Sequence, residues 1–218
     1  MPDLRKKADK VRKILRTAHP VVKTQLNHRT PFELLAATIL SAQCTDRQVN
    51  RVTPALFSAL PDARHMAEAS EEALADLIHS TGFFRNKARH LKRCAAALLA
   101  DHGGRVPDTL EALTALPGVG RKTANVVLGA AFGIPGMVVD THVARVSRRV
   151  GLTSHTDPVR IEFDLMALFP KSSWRDVSLQ MVYFGRKTCQ ARTPLCPDCP
   201  LRGVCDYPDK TPGPSALL

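Results

Sequence analysis

Apolar residues recur along most of the chain at spacings of three and four, and no convincing run alternates as a strand would. Residues 3 to 18 set Leu4, Val11, Ile14, Leu15 and Ala18 among many Lys and Arg, which predicts an amphipathic basic helix ending before His19-Pro20. Pro31 to Ala42 opens on a proline and carries Phe32, Leu34, Leu35, Ile39 and Leu40, the pattern of a buried helix. A polar break, Ser41-Ala42-Gln43-Cys44-Thr45-Asp46, separates it from a helix over about Asp46 to Ala59. Ser70 or Glu71 opens a short helix to His79, Thr81-Gly82-Phe83-Phe84 is a loop, and Asn86 to Ala100 is a helix with Ala88, Leu91, Ala95, Leu98 and Leu99 inward. Beyond Asp140, helices are expected at about 143–150, 158–168 and 172–187. The fold class is all-α, with no internal repeat.

Between these lies the most informative stretch. Val106-Pro107-Asp108 starts a helix with Asp108 as its expected N-cap, and Leu110, Leu113 and Leu116 follow at helical spacing. Pro117, Gly118 and Gly120 then force a tight hairpin, after which Ala124, Val127, Leu128 and Ala131 form one apolar face. Two glycines around one residue leave backbone N–H groups bare at the start of the second helix, and those groups with the helix dipole make an anion site. The hairpin holds no acidic side chain, so a phosphate is the simplest anion; the glycines alone fit an ordinary turn equally well. Lys122 lies in the first helical turn, where a cation is disfavoured by about 0.3–1 kcal/mol. Farther on, Asp140 follows Met137-Val138-Val139 and precedes Thr141-His142. An amine with a carboxylate beside it can attack a sugar carbon or form a Schiff base. Asp140 can also cap the helix expected near Val143, and we read it as doing both.

Charge strengthens a nucleic-acid reading. The 218 residues carry 31 Lys and Arg against 20 Asp and Glu, a net charge of +11, which suits a polyanion partner. At 44% hydrophobic the chain can bury a core in one or two domains. No apolar run has the length of a membrane span and the start lacks the apolar core of a secretory signal, so a cytoplasmic or nucleoid-associated protein is expected. In such a compartment six cysteines favour metal sites or buried thiols over disulfides. Cys189, Cys196, Cys199 and Cys205 are separated by six, two and five residues and can converge on one centre; ligand count suits zinc and an iron–sulfur cluster equally, and spacing does not choose. Cys94 lies on the Leu91–Leu98 face as a core residue, and Cys44 is also expected to be buried.

Leu-Pro-Gly-Val-Gly-Arg-Lys-Thr-Ala-Asn (116–125), then Val-Asp-Thr-His (139–142), then the four-cysteine spacing resemble the endonuclease III family of DNA glycosylases, and the likeness extends over nearly the whole chain. The resemblance implies a barrel-like six-helix domain at about 21–134, with a helix-hairpin-helix at about 108–133. It implies a second domain, from residues 1–20 and 135–218, holding one four-iron four-sulfur cluster on Cys189, Cys196, Cys199 and Cys205. A DNA-binding cleft would lie between the two domains. It further implies a monomeric bifunctional enzyme that removes oxidised pyrimidines from duplex DNA, flipping the damaged base out of the stack, and then cleaves the abasic site by β-elimination.

In that chemistry Lys122 is the nucleophile and Asp140 takes a proton or stabilises positive charge at the sugar. Gln43 fills the hole left by the base, Phe83 wedges on the opposite strand, and His142 meets the backbone. Phe83 stands where some members carry an aliphatic residue, which puts the opposite-strand preference in doubt. Gly118, Gly120 and Arg121 would grip phosphates at the hairpin. The cluster would hold Arg186, Lys187 and Arg192 against the phosphate backbone. The nucleophile must be the free amine. The helix terminus and Arg121 favour the neutral form, Asp140 favours the ammonium, and the remainder must come from burial or from proton removal by Asp140. Two other readings are a monofunctional adenine-type glycosylase, disfavoured by Lys122 and by the short segment after Cys205, and a non-enzymatic helix-hairpin-helix module, which needs no Lys122–Asp140 pair.

Overall fold

A computed structural model describes residues 2–212. Among them the α-helices are α1 (Pro2–Ala18), α2 (Pro31–Leu40), α3 (Asp46–Ala59), α4 (Ala63–Glu68), α5 (Glu71–Ile78), α6 (Phe84–His102), α7 (Leu110–Ala115), α8 (Arg121–Ala131), α9 (Thr141–Val150), α10 (Pro158–Leu168) and α11 (Trp174–Lys187). No strand occurs among the described residues, and no helix there is long and apolar enough to cross a membrane. The chain divides into two compact units, one running from Thr24 to Ile134, the other joining the residues up to Lys23 with those from Pro135 on.

In the unit from Thr24 to Ile134, α2 is the organising element. Glu33 through Leu40 are all buried, so this helix has no solvent face, and it packs against α3, α6 and α8. Its start is closed from both directions. Thr30 Oγ1 accepts from the Glu33 amide at 3.1 Å, and the Glu33 carboxylate accepts from the Arg29 amide at 2.6 Å. Around α2 a single apolar core gathers Leu34, Leu35, Leu56, Met66, Leu74, Leu91, Leu98 and Leu113. The hydrophobic pattern does not announce α4, which has six residues and buries only Ala63 and Met66. The cap expected at Asp108 falls one residue later: Thr109 has the extended backbone of a cap and its Oγ1 accepts from the Ala112 amide at 3.3 Å. Aspartate and threonine both serve at this position, and the chain uses the later one.

The other unit packs α1 against α10 and α11, and α11 against α9. Its separate core gathers Val11, Leu15, Val143, Val146, Ile161, Leu165, Met181 and Phe184. The basic amphipathic α1 thus has a buried stripe as well as a charged face. α9 begins at Thr141, ahead of the expected start near Val143, and α11 begins at Trp174 after a 3-10 turn at Lys171–Ser173.

Candidate nucleic-acid interface and cysteine centre

The hairpin is built as the glycines require. Gly118 has φ of +78°, and a Cβ there would come within 2.8 Å of His90 Cβ, so both backbone conformation and space demand glycine. Gly120 differs. It is the N-cap of α8 with an ordinary extended backbone, and an added Cβ would meet nothing within 4 Å. No side chain caps α8 and none of its first-turn residues is acidic. A helix start with neither a capping side chain nor an acidic first turn is the kind of terminus that suits an anion. Arg121 is half-buried at this end, and the Lys122 side chain is exposed.

Two loops of the same unit stand apart in backbone conformation. Gln43 (φ +53°) and Phe83 (φ +47°) are the non-glycine residues with positive φ among the described residues. This region costs a bulky side chain about 1–2 kcal/mol. Both side chains are exposed, and Phe83 is 65% accessible while Phe84 packs on His79 with ring centroids 4.4 Å apart. Gln48 Nε2, in the first turn of α3, donates to Ser80 Oγ at 2.7 Å, which ties the start of the helix after Gln43 to the 3-10 turn before Phe83. Phe83 is the N-cap of α6 and supplies no cap bond, so α6 and α8 have uncapped starts while a side chain caps each of α2, α3, α4, α5 and α7. Cys44 is half-buried against the core rather than fully inside it, whereas Cys94 is in the core, where burial pushes its thiol up to about 12.

In the other unit Asp140 is the N-cap of α9. Its Oδ1 accepts from the amides of His142 and Val143, both at 2.8 Å, and Oδ2 has no hydrogen-bond partner among the described residues. His142 lies half-buried in the first turn with Nδ1 3.0 Å from Arg145 Nη2. A guanidinium only donates, so this contact is a hydrogen bond in the tautomer that keeps the Nδ1 lone pair free and carries the ring proton on Nε2. Burial holds His142 below the usual imidazole range against the pull of Asp140, and Arg145 and Arg186 act with burial. His19 is lowered as well, by burial and then by Lys187.

The cysteine segment hangs from α9. Arg145 donates to the carbonyls of Cys189 and Gly185, both at 3.0 Å. Arg149 donates to Gln190 O at 2.7 Å, to Ala191 O at 2.8 Å and to Cys189 Sγ at 3.5 Å, and its guanidinium lies 4.3 Å from the centre of the Tyr207 ring. Cys189, Cys196, Cys199 and Cys205 line one cavity, closed by apolar groups of Val150, Phe184, Pro194 and Leu201. Burial and then the charges of Cys189, Cys205 and Cys196 push the Cys199 thiol up, so the four sulfurs lie within electrostatic reach of one another. Among the described residues no three His, Cys, Asp or Glu side chains converge as a site for a single ion. Arg186, Lys187 and Arg192 are all exposed, the first two ending α11 and the third on the segment that Arg149 holds.

Sequence reasoning passed over Arg145, Arg149 and Lys87. The arginines stand four apart on α9, a spacing visible in the chain, but their partners lie 40 or more residues away.

The comparisons with known proteins agree with one another. A family model described as HhH-GPD superfamily base excision DNA repair protein matches residues 36–171. Endonuclease III of Synechocystis sp. is 50% identical over 206 residues, 94% of each chain. That of Escherichia coli K12 is 40% identical over 196 residues, 90% of this chain and 93% of its own. A solved structure of a trapped endonuclease III–DNA covalent intermediate, an estranged-adenine complex, superposes with a TM-score of 0.89 at 42% identity, covering 92% of this chain and 95% of that one.

Two outcomes follow from this geometry. Gly120→Ala shifts the melting temperature by only a few degrees but lowers affinity for duplex DNA at least tenfold, whereas Gly118→Ala costs about 1–3 kcal/mol; thermal melts and fluorescence anisotropy separate the two. The second concerns pH. His19 and His142 bind protons less readily folded than unfolded, so the unfolded chain holds more protons in the interval below the usual value near 6.5. Their contribution to stability is complete above that interval and is lost as pH falls through it. His142→Gln therefore melts with a smaller drop between about pH 7.5 and pH 5.5 than wild type does.

Proposed function

We propose, from the premise that this chain belongs to the endonuclease III family of the HhH-GPD superfamily of base excision DNA repair proteins, that it excises oxidised pyrimidines from duplex DNA and then cuts the abasic strand. Base excision as a DNA glycosylase follows from the family; the substrate class and the strand cut are our reading. We expect the chain to act as a monomer on DNA carrying damaged bases or abasic sites. The observation that carries the reading is Lys122, an exposed amine in the first turn of an uncapped helix behind a glycine with open space at its Cα. A phosphate drawn to the bare N–H groups of α8 would set a deoxyribose beside that amine. The solved covalent intermediate of endonuclease III with DNA is the kind of species such an amine forms.

In the mechanism the neutral Lys122 amine attacks C1′ with its lone pair, and the glycosidic bond breaks with its electrons leaving on the base. Ring opening gives an iminium, which makes the C2′ proton acidic. Loss of that proton pushes out the 3′ oxygen, and the strand breaks on the 3′ side with the phosphate as leaving group. Bound DNA supplies the desolvation that favours the free amine. Asp140 Oδ2, not used in capping, is the atom we assign to proton transfer or to stabilising charge at the sugar. Gln43 and Phe83, exposed on backbone that gives up stability, would fill the gap in the stack and wedge the opposite strand. The His142 Nε2–H, Arg121, Gly118 and Gly120 would meet phosphate oxygens, as would Arg186, Lys187 and Arg192.

We also propose that Cys189, Cys196, Cys199 and Cys205 hold a four-iron four-sulfur cluster. Four unpaired thiols around an apolar space fit such a group, whose ligands surround a volume rather than a point. When bound it supplies four metal–thiolate bonds that tie the C-terminal segment together.

The reaction is tested by borohydride reduction in the presence of abasic-site DNA. Wild type becomes covalently trapped and Lys122→Ala does not. Asp140→Asn keeps the cap and melts within a few degrees of wild type, but traps at a rate lower by about 10²-fold or more. Failure of wild type to trap would leave a DNA-binding module without this chemistry. The cluster is tested on protein purified without air. Iron and acid-labile sulfide are expected in equal amounts with visible absorption that Cys199→Ser weakens, and zinc in their place would overturn the assignment.

A further inference from the structure

Lys87 is the one Lys or Arg among the described residues whose side chain is buried, at 4% exposure. Burying a cation costs free energy unless something compensates, and its amine meets a backbone carbonyl rather than a carboxylate: Nζ donates to Thr81 O at 2.8 Å. Burial holds this amine below the usual lysine range, and the nearby Cys44 sulfur opposes that only in part. A leucine or methionine here would fill the same inward stripe of α6, beside Ala88 and Leu91, without that cost.

The position of the bond accounts for the charge. Thr81 ends the 3-10 turn, Gly82 follows with φ of +69°, and Phe83 follows with φ of +47°. The Lys87 amide donates to Phe83 O at 3.1 Å while its Nζ donates to Thr81 O. One residue therefore grips the chain on both sides of Gly82 and leaves Gly82 and the strained Phe83 little freedom to relax. Thr81 is itself buried, with Oγ1 donating to Ile78 O at 2.8 Å, so the upstream end of the grip is anchored. Cys44, next to the second strained residue, Gln43, lies within electrostatic reach of the same amine.

We propose that Lys87 is a positioning residue that holds the Gly82–Phe83 loop in its strained, outward-facing form so that Phe83 is presented to the DNA stack before binding. The inference rests on the wedge role assigned to Phe83. Without the Thr81 bond the loop would relax toward negative φ, and the binding energy of the duplex would then be spent restoring it.

The test uses the full-length protein and a duplex with 2-aminopurine opposite a non-cleavable abasic analogue, whose emission rises when the opposite base is unstacked. At saturating wild type the emission rises. Lys87→Met loses most of that rise while melting at or above the wild-type temperature. Phe83→Ala loses it too, and the double variant loses no more than Phe83→Ala alone. Amide hydrogen exchange at Gly82 and Phe83 quickens in Lys87→Met, a change that loss of general stability would not confine to this loop. Lys87→Gln, too short to reach Thr81, is expected to behave alike and serves if the methionine variant does not fold. Should Phe83→Ala abolish the rise while both Lys87 variants keep it, the positioning role is overturned and the wedge stands. Should Phe83→Ala leave the rise intact, the wedge is lost and the role of Lys87 with it.

Discussion

The carboxylate of Asp140 accepts two amide protons on one oxygen, and the helix it starts carries His142, Arg145 and Arg149 in successive turns. Arg145 and Arg149 hold Gly185, Cys189, Gln190 and Ala191 by their carbonyls, so the first cysteine and the segment after it take their place from α9. Gly185 allows the close approach: a Cβ there would lie 3.0 Å from His142 Cβ and 3.2 Å from an Arg145 nitrogen. Removing the Asp140 cap side chain would cost about 0.5–2 kcal/mol. The larger consequence would be positional, since the frame of the cysteine segment would lose its fixed origin. A carboxylate tied this way on one oxygen also keeps the other oxygen steady, which a proton-transfer group requires.

The other unit reaches order by a different route. Its core is held by α2, which is buried along Glu33 to Leu40, and most of its helices start with a side chain satisfying the first N–H groups. The exceptions are α6 and α8, and the strained residues Gln43 and Phe83 flank the elements joined by the Gln48–Ser80 bond, α3 and the 3-10 turn at His79–Thr81. Exposed aromatic surface, positive φ and bare N–H groups each lower stability on their own. They fall in the segments that the DNA reading requires, and the robust core around α2 is what lets the unit carry them.

This contrast explains what the sequence made legible. Helical period announced nearly every helix, down to α10 at Pro158–Leu168, because each has an apolar stripe long enough to recur. It did not announce α4, where two buried residues three apart make too short a pattern. The hairpin was legible because glycine and proline act locally, yet its two glycines differ. Gly118 is demanded by the fold through its contact with His90, a residue 28 positions earlier, and Gly120 is not. That difference is tertiary and no spacing rule contains it. Arg145 and Arg149 were visible as residues but not as a frame, because their acceptors are carbonyls that any sequence possesses.

Lys87 shows the same limit most sharply. In the chain it is one lysine among many in a basic protein, and charge balance counts it with the surface. Folded, it lies on the inward face of α6 with its amine turned back to the loop before the helix. Hydrophobic patterning assigns an inward position to an apolar residue, so an inward lysine reads as noise until the carbonyl it meets is known. The buried cation and the two residues strained by positive φ belong to one unit, whereas uncapped helix starts occur in both, at α6 and α8 in one and at α11 in the other. A cation in the inward stripe of an otherwise regular helix acts here on the loop that precedes the helix, through the one carbonyl it meets.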